Sequence, residues 1–273
     1  ALYSLMAGIV GARIFYVLHH WDEFKGNPLR VFALWEGGLE FLGGVVLAIL
    51  IMMCYLRVVK LPVRRVMDLM AIGLMAALIF GRVGCLLNGC CWGKPTSLPW
   101  GIRFPYGSLA YHSQIEANPE RGRMEPHLHV PDTFWGYDPN ERVWRLKELK
   151  ELSPEQRQAV LHGQYRCLPV HPSQIYASLS ALGICAVLCV FWTWTVRPGP
   201  KTPRWEWLKA PGLTLSLMLI LYGWVRYLLE LSRDDNPFEI ATLTISQIIG
   251  LGMVVMGLAL VPIFIKLGPN PDT

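Results

Sequence analysis

Three arginines stand where a charge is costly. Arg13, Arg82 and Arg226 each interrupt an apolar run, and a charge near the centre of a membrane helix costs about 2.5 to 3.5 kcal/mol on insertion scales. A guanidinium fork grips phosphate bidentately, so three of them at one level suggest a cavity that binds an anion, with a phospholipid headgroup as the natural ligand at that depth. The bland alternative is that each arginine snorkels to the headgroups or pairs with a nearby acid such as Glu40 or Glu230. Glu230 and Arg233 follow Arg226 by four and seven residues and extend the same helical face. Glu230 reads more readily as the structural partner of Arg226 than as a catalytic acid. His171 precedes a proline at the start of an apolar run, where an imidazole titrating near pH 6.5 either does acid–base work or fixes the loop. Cys85, Cys90 and Cys91 fit no standard zinc spacing, so neither a metal nor a cofactor is expected.

The elements that must position these residues are membrane helices. Mean hydropathy is +0.34 and only 16% of the 273 residues are charged, against about 25% in a soluble domain. The apolar residues fall into six blocks, 1–18, 37–56, 66–91, 174–196, 211–231 and 243–266, each near the roughly 20 residues that span a bilayer. The fold class is therefore all-α, a polytopic membrane helix bundle. The net charge of +5 is spread over short loops, which reports insertion topology and gives no support for nucleic-acid binding.

Arg57, Lys60, Arg64 and Arg65 mark one cytoplasmic loop, and Arg197, Lys201, Arg204 and Lys209 against Glu206 mark another. Alternation then puts 19–36, 92–173 and 232–242 outside, the last carrying Asp234, Asp235 and Glu239. All three arginine-bearing spans run outward, and at 1.5 Å per residue their arginines lie about 7 to 14 Å below the outer end. The outer segment is too long and polar for a turn. Ser153-Pro154-Glu155-Gln156 reads as a capped helix start within it, and the expected organisation is 1–105 membrane helices, 106–170 a small periplasmic head, and 171–273 membrane helices. The head histidines His112, His127 and His129 have no ligand spacing and read as solvated.

Gly8, Gly11 and Ala12, then Gly37, Gly38, Gly43 and Gly44, then Gly81, Gly84, Gly89 and Gly93 predict close helix packing. The glycines around Glu40 also suit broken helix at a cavity wall. Seven cysteines are an odd number. A bridge from Cys90 or Cys91 to Cys167 would tie the head to the membrane in an oxidising compartment, whereas adjacent cysteines packed as small hydrophobes are the commoner arrangement. The chain starts at Ala1 inside an apolar run with no visible signal peptide, so the natural N-terminus is expected further upstream. The tail 269–273 reads as frayed.

Gly81-Arg82-Val83-Gly84, Asn88-Gly89, Trp92-Gly93-Lys94-Pro95-Thr96 and Leu98-Pro99-Trp100-Gly101 closely resemble the signature of bacterial prolipoprotein diacylglyceryl transferases. Gly11-Ala12-Arg13, Tyr16-Val17-Leu18, Gly37-Gly38-Leu39 with Gly43-Gly44, His171-Pro172-Ser173-Gln174-Ile175-Tyr176, Tyr222-Gly223 with Arg226 and Glu230, and Leu243-Thr244-Ile245-Ser246-Gln247-Ile248 agree in order. The resemblance implies a transferase of the bacterial inner membrane, its site toward the outer leaflet and periplasm, with one further N-terminal span than the six visible here. Such enzymes move a diacylglyceryl group from phosphatidylglycerol to the lipobox cysteine in the signal region of a prolipoprotein, forming a thioether and releasing glycerol phosphate. It makes Arg82 and Arg226 functional arginines, Arg82 being the phosphatidylglycerol contact, and adds Arg13, Tyr222, Asn88, Glu230 and Arg233 as lipid-binding candidates.

This chain departs from that pattern at three positions. The paired glycines of the family bracket a histidine where Leu42 stands here, and Cys85 and Cys90 take the places of an asparagine and an acidic residue. A leucine accepts no proton, so Glu40, His171 or a cysteine must take over as base. Glu40 is the preferred substitute, in an apolar setting that would raise its pKa; its bland role is to neutralise Arg13 or Arg82. Two other readings stay open: a membrane homologue that binds phospholipid or a lipoprotein partner without catalysis, and cysteines that carry other chemistry.

Overall fold

The computed structural model describes all residues except 1, 34, 36, 39, 139–141, 197–205, 235–237, 239–241 and 269–273. The expectations for Arg197, Lys201, Arg204, Asp235, Glu239, Leu39 and the tail therefore lie outside the described residues. The chain forms two compact units, one ending at Met67 and the next beginning at Asp68.

In the first unit, α1 (Leu2–His19), the single turn α2 (Trp21–Phe24) and α3 (Phe41–Val58) follow the apolar blocks. α1 and α3 approach so closely that a Cβ on Gly11 would stand 2.5 Å from the Gly43 carbonyl oxygen, and one on Gly44 would stand 2.8 Å from that of Gly8. Small residues here serve packing, since any side chain would push the helices apart.

The second unit continues α4 (Val63–Asn88) into a polar segment, called the head below. That segment builds its own core from Tyr111, Ile115, Leu128, Phe134, Leu146, Leu152, Val160 and Cys167. Helix α5 (Leu109–Ile115) is capped by Ser108, whose side chain accepts from Tyr111 N. The antiparallel pair β1 (Trp135–Asp138) and β2 (Val143–Leu146) sets Trp135 opposite Leu146. Helix α6 (Pro154–Leu161) starts at Ser153 with the reciprocal Ser153–Gln156 capping box expected from the sequence. A small hairpin thus joins an otherwise helical chain.

Then come α7 (Ser173–Val196), α8 (Leu213–Leu231) and α9 (Ile245–Leu267). Ala71 and Met75 of α4 form a core cluster with Ile184 and Leu188 of α7 and Met218 and Leu219 of α8. α8 meets α9 at Gly223, where a Cβ would stand 2.5 Å from the Gly250 carbonyl. The α8 start has only Gly212 as its N-cap; the buried Asp68 carboxylate supplies the missing acceptors, taking Gly212 N at 2.7 Å and Leu215 N at 2.8 Å. α1, α4, α7, α8 and α9 are long and apolar enough to cross a membrane, and α3 has a shorter apolar run, Gly43–Val58. The protein is thus a multi-pass, all-α membrane protein.

The bridge to Cys167 is not formed, because all seven cysteines are free. Cys167 is buried in the head core, where its thiol donates to Gln114 Oε1 at 3.5 Å and burial raises its pKa. It behaves as a small apolar residue.

Candidate active site

Glu230 is the centre of a cluster of charged side chains in the second unit. It lies in the last turn of α8, is 1% exposed, and faces Arg226 at 3.5 Å, Arg233 at 3.8 Å and Arg121 at 3.7 Å. The helical offsets of four and three bring Arg226 and Arg233 to it, as the sequence indicated. Arg121 comes from the head. Its NH2 also donates to the Arg233 carbonyl at 2.8 Å, and its guanidinium lies 4.8 Å from the centre of the Phe238 ring. Beside it, Arg123 and His127 reach Asp234 at 3.8 and 3.4 Å; with His112 at 3.9 Å from Glu116, two of the head histidines expected to be solvated have acidic partners instead.

Arg226 extends the cluster toward α4. Its NH2 donates to Ser246 Oγ at 2.5 Å, in the first turn of α9, where Thr244 and Gln247 form a reciprocal capping box. Arg82 is close enough for its charge to act on the Arg226 guanidinium, while Tyr222 packs against the apolar core of the second unit. The Arg82 Nε is buried and has no hydrogen-bond partner among the described residues. Three guanidiniums therefore gather around the Glu230 carboxylate, and Arg82 lies near one of them, Arg226. An incoming anion finds both excess cation and an unused donor, the combination that binds a phosphate.

His171 is held beside this cluster by main-chain bonds. Its N–H donates to Lys94 O at 3.0 Å and its carbonyl accepts from Gly93 N at 3.1 Å, while Lys94 N donates to Ser232 O at 2.8 Å. Gly93 is wedged between the two chains, since a Cβ there would stand 2.6 Å from His171 Cβ and 2.8 Å from Ser232 O. Upstream of His171, Gln114 clamps the Leu168 backbone from both sides, at 2.8 and 3.1 Å. On the imidazole itself, Tyr176 OH lies 3.4 Å from Nδ1 and accepts from Trp100 Nε1 at 2.7 Å.

The remaining candidates have local partners. Asn88 ends α4 and hydrogen-bonds the Cys90 thiol. Arg13, in the first unit, spends its guanidinium on four backbone carbonyls: Val31 at 2.8 Å, Gly37 at 2.6 Å, Gly38 at 3.0 Å and Arg30 at 2.6 Å. Gly37 and Gly38 adopt φ of +81° and +71°, the left-handed region that turns their carbonyls toward it. Arg13 thus clasps the loop before α3. Glu40 does not neutralise Arg13; its Oε1 pairs with His19 Nδ1 at 2.8 Å, and its Oε2 is buried without a hydrogen-bond partner among the described residues. Leu42 lies in the first turn of α3.

The profile of the prolipoprotein diacylglyceryl transferase family matches residues 1–263. This chain belongs to that family. It is 30% identical over 264 residues to the phosphatidylglycerol–prolipoprotein diacylglyceryl transferase of Ralstonia pickettii strain 12J, covering 94% of this chain and 74% of the relative. The enzymes of the same name from Xanthomonas oryzae pv. oryzae strain PXO99A and Xanthomonas axonopodis pv. citri strain 306 are 30% and 29% identical, each over 94% of this chain and 72% of the relative. The head residues Arg121 and Arg123 lie in the same cluster as Arg226 and Arg233. Sequence reasoning missed these two because their only signal is a pair of arginines around Gly122. Ser246 was visible as part of a motif, without a role.

Proposed function

We propose that this protein transfers the diacylglyceryl group of phosphatidylglycerol to the lipobox cysteine of a prolipoprotein, in the bacterial inner membrane with its site toward the outer leaflet. The observation that carries this reading is the buried, unpartnered Arg82 Nε beside Arg226. In the reaction, the thiol sulfur attacks the glyceryl carbon bonded to the phosphate oxygen. The new bond is C–S, the broken bond is C–O, and the thiol proton leaves to a base while glycerol phosphate departs with the bonding electrons. Charge grows on the departing phosphate, and fixed cations stabilise it most when they need not reorganise. The Glu230 carboxylate keeps Arg226, Arg233 and Arg121 in place for that task, while Arg82 supplies the unused donor.

His171 suits the proton's destination: its ring is oriented through Tyr176, whose hydroxyl lies 3.4 Å from Nδ1. Losing one general base costs about 10² to 10⁴ in rate, so Leu42 in the family's histidine position slows this chemistry without removing the electrostatic part. The test is complementation of a transferase-depleted bacterium with the full-length gene. Restored growth with diacylglyceryl-modified lipoproteins is the expected result. Accumulation of unmodified prolipoprotein, with the protein folded in the membrane and still binding phosphatidylglycerol, makes it a lipid-binding homologue instead.

A further inference from the structure

We infer that Cys85, Cys90 and Cys91 form a three-thiolate site for one soft d10 cation, zinc(II) foremost. Their three Sγ atoms lie within 4.8 Å of one another. A cation at the centre of a triangle of that size sits about 2.8 Å from each sulfur at most, and a Zn–S bond is about 2.3 Å. Closing the site takes about half an ångström of movement per ligand. No linear zinc signature predicts this, because the ligands meet through a turn and not through a regular spacing.

The turn is held in place independently of any ion. α4 ends at Asn88, Gly89 takes φ of +68°, and Cys91 takes φ of +61°, a conformation uncommon for a residue with a side chain. Such a conformer is strained and persists where its surroundings impose it. Here the surroundings are the first two residues of α7: Ser173 Oγ donates to Cys91 O at 2.5 Å and Gln174 Nε2 donates to Cys90 O at 2.7 Å. Cys90 N also donates to the Cys85 carbonyl at 3.1 Å, folding the turn back onto its own helix. A preformed ligand triangle needs little reorganisation on binding.

Burial and charge agree with a ligand role. All three cysteines are half-buried, sheltered from bulk water yet reachable, whereas Cys167 is packed into an apolar core. Three thiolates and zinc(II) carry a net charge of about −1, and Arg233 is close enough for its charge to act on Cys91. No fourth histidine, cysteine or carboxylate joins the group among the described residues. Three protein ligands leave one coordination position open, the pattern of a reactive site more than of a structural one.

The test uses the full chain in detergent, purified without air in the presence of a phosphine reductant and stripped of metal with a chelator. Zinc(II) is titrated in and read by elemental analysis after gel filtration, and cobalt(II) is read through its thiolate charge-transfer absorption. One equivalent of zinc and a cobalt spectrum with three thiolates are expected. Cys85→Ser, Cys90→Ser and Cys91→Ser should each weaken binding by more than the roughly 10- to 100-fold that loss of a supporting group costs, and Cys189→Ser should not. Zinc should raise the melting temperature of the wild type, while metal-free wild type and metal-free variants melt alike. Zinc binding that is substoichiometric, or that survives in the triple serine variant, overturns the proposal. So does a disulfide between any two of these cysteines in the anaerobically prepared protein.

Discussion

The Arg121 guanidinium, on the head, lies 3.7 Å from the Glu230 carboxylate on α8, 109 positions further along the chain. One buried acid therefore orders cations from a membrane helix and from the polar segment above it. Removing one partner of a buried ion pair leaves uncompensated charge and costs about 3 to 5 kcal/mol. Glu230→Gln keeps the volume and removes the charge. It should lower stability by about 3 kcal/mol in detergent unfolding and loosen the head, seen as faster hydrogen exchange around Arg121. A loss below about 1 kcal/mol, the range of an exposed pair, would mean that Glu230 is not the organising charge.

Gly93→Ala should displace His171 while sparing the arginines. The added Cβ would meet His171 Cβ at 2.6 Å and Ser232 O at 2.8 Å, and overpacking of this kind costs about 1 to 3 kcal/mol. Turnover should fall more than phosphatidylglycerol affinity. Equal loss of both would place the disturbance in the lipid site instead.

Asp68 caps a helix to which it is not adjacent in sequence. Asp68→Ala strands Gly212 N and Leu215 N, and loss of a side-chain cap costs about 0.5 to 2 kcal/mol. Asp68→Asn keeps an acceptor for one of them and should retain part of the stability. If the alanine and asparagine variants melt alike, and like the wild type, the cap contributes nothing.

Glu151 gives the head an acid-sensitive joint. The Arg145 guanidinium grips its carboxylate at 2.9 and 3.0 Å and Glu148 N donates to it at 2.8 Å, which lowers its pKa to about 2, from an unfolded value near 4.3. A depressed folded pKa means that the contribution is fully present above about pH 4.3 and is lost as pH falls toward 2. Hydrogen exchange of the 143–152 segment should therefore separate wild type from Glu151→Gln at pH 6, with the difference vanishing as pH approaches 2. A constant difference across that range would assign the effect to shape and not to charge.

Five of the six expected spans, the capped start of α6 and the pairing of Arg226 with Glu230 were legible because each rests on local periodicity or a short fixed offset. Arg121 was not legible, because nothing local tells an arginine in a polar loop that a buried carboxylate waits on a distant helix. Arg13 shows the opposite limit. Its charge was correctly seen as needing partners, but its partners are carbonyls, and every residue carries one, so the sequence offers no way to choose them. The cysteine triangle was hidden for a geometric reason: a left-handed turn at Gly89 and Cys91 brings together ligands that a linear spacing rule separates.

The anion-binding role of Arg82 rests on a guanidinium fork with an unused donor, and a lysine keeps the charge while losing the fork. The most direct measurement is transfer of labelled diacylglyceryl from phosphatidylglycerol vesicles to a lipobox peptide by the purified full chain and by Arg82→Lys. The wild type should form the thioether, and Arg82→Lys should reduce turnover by about 100-fold, the loss typical of one positioned donor to a developing oxyanion. Transfer by Arg82→Lys at the wild-type rate, or no transfer by the wild type where a relative's enzyme is active, would contradict this assignment.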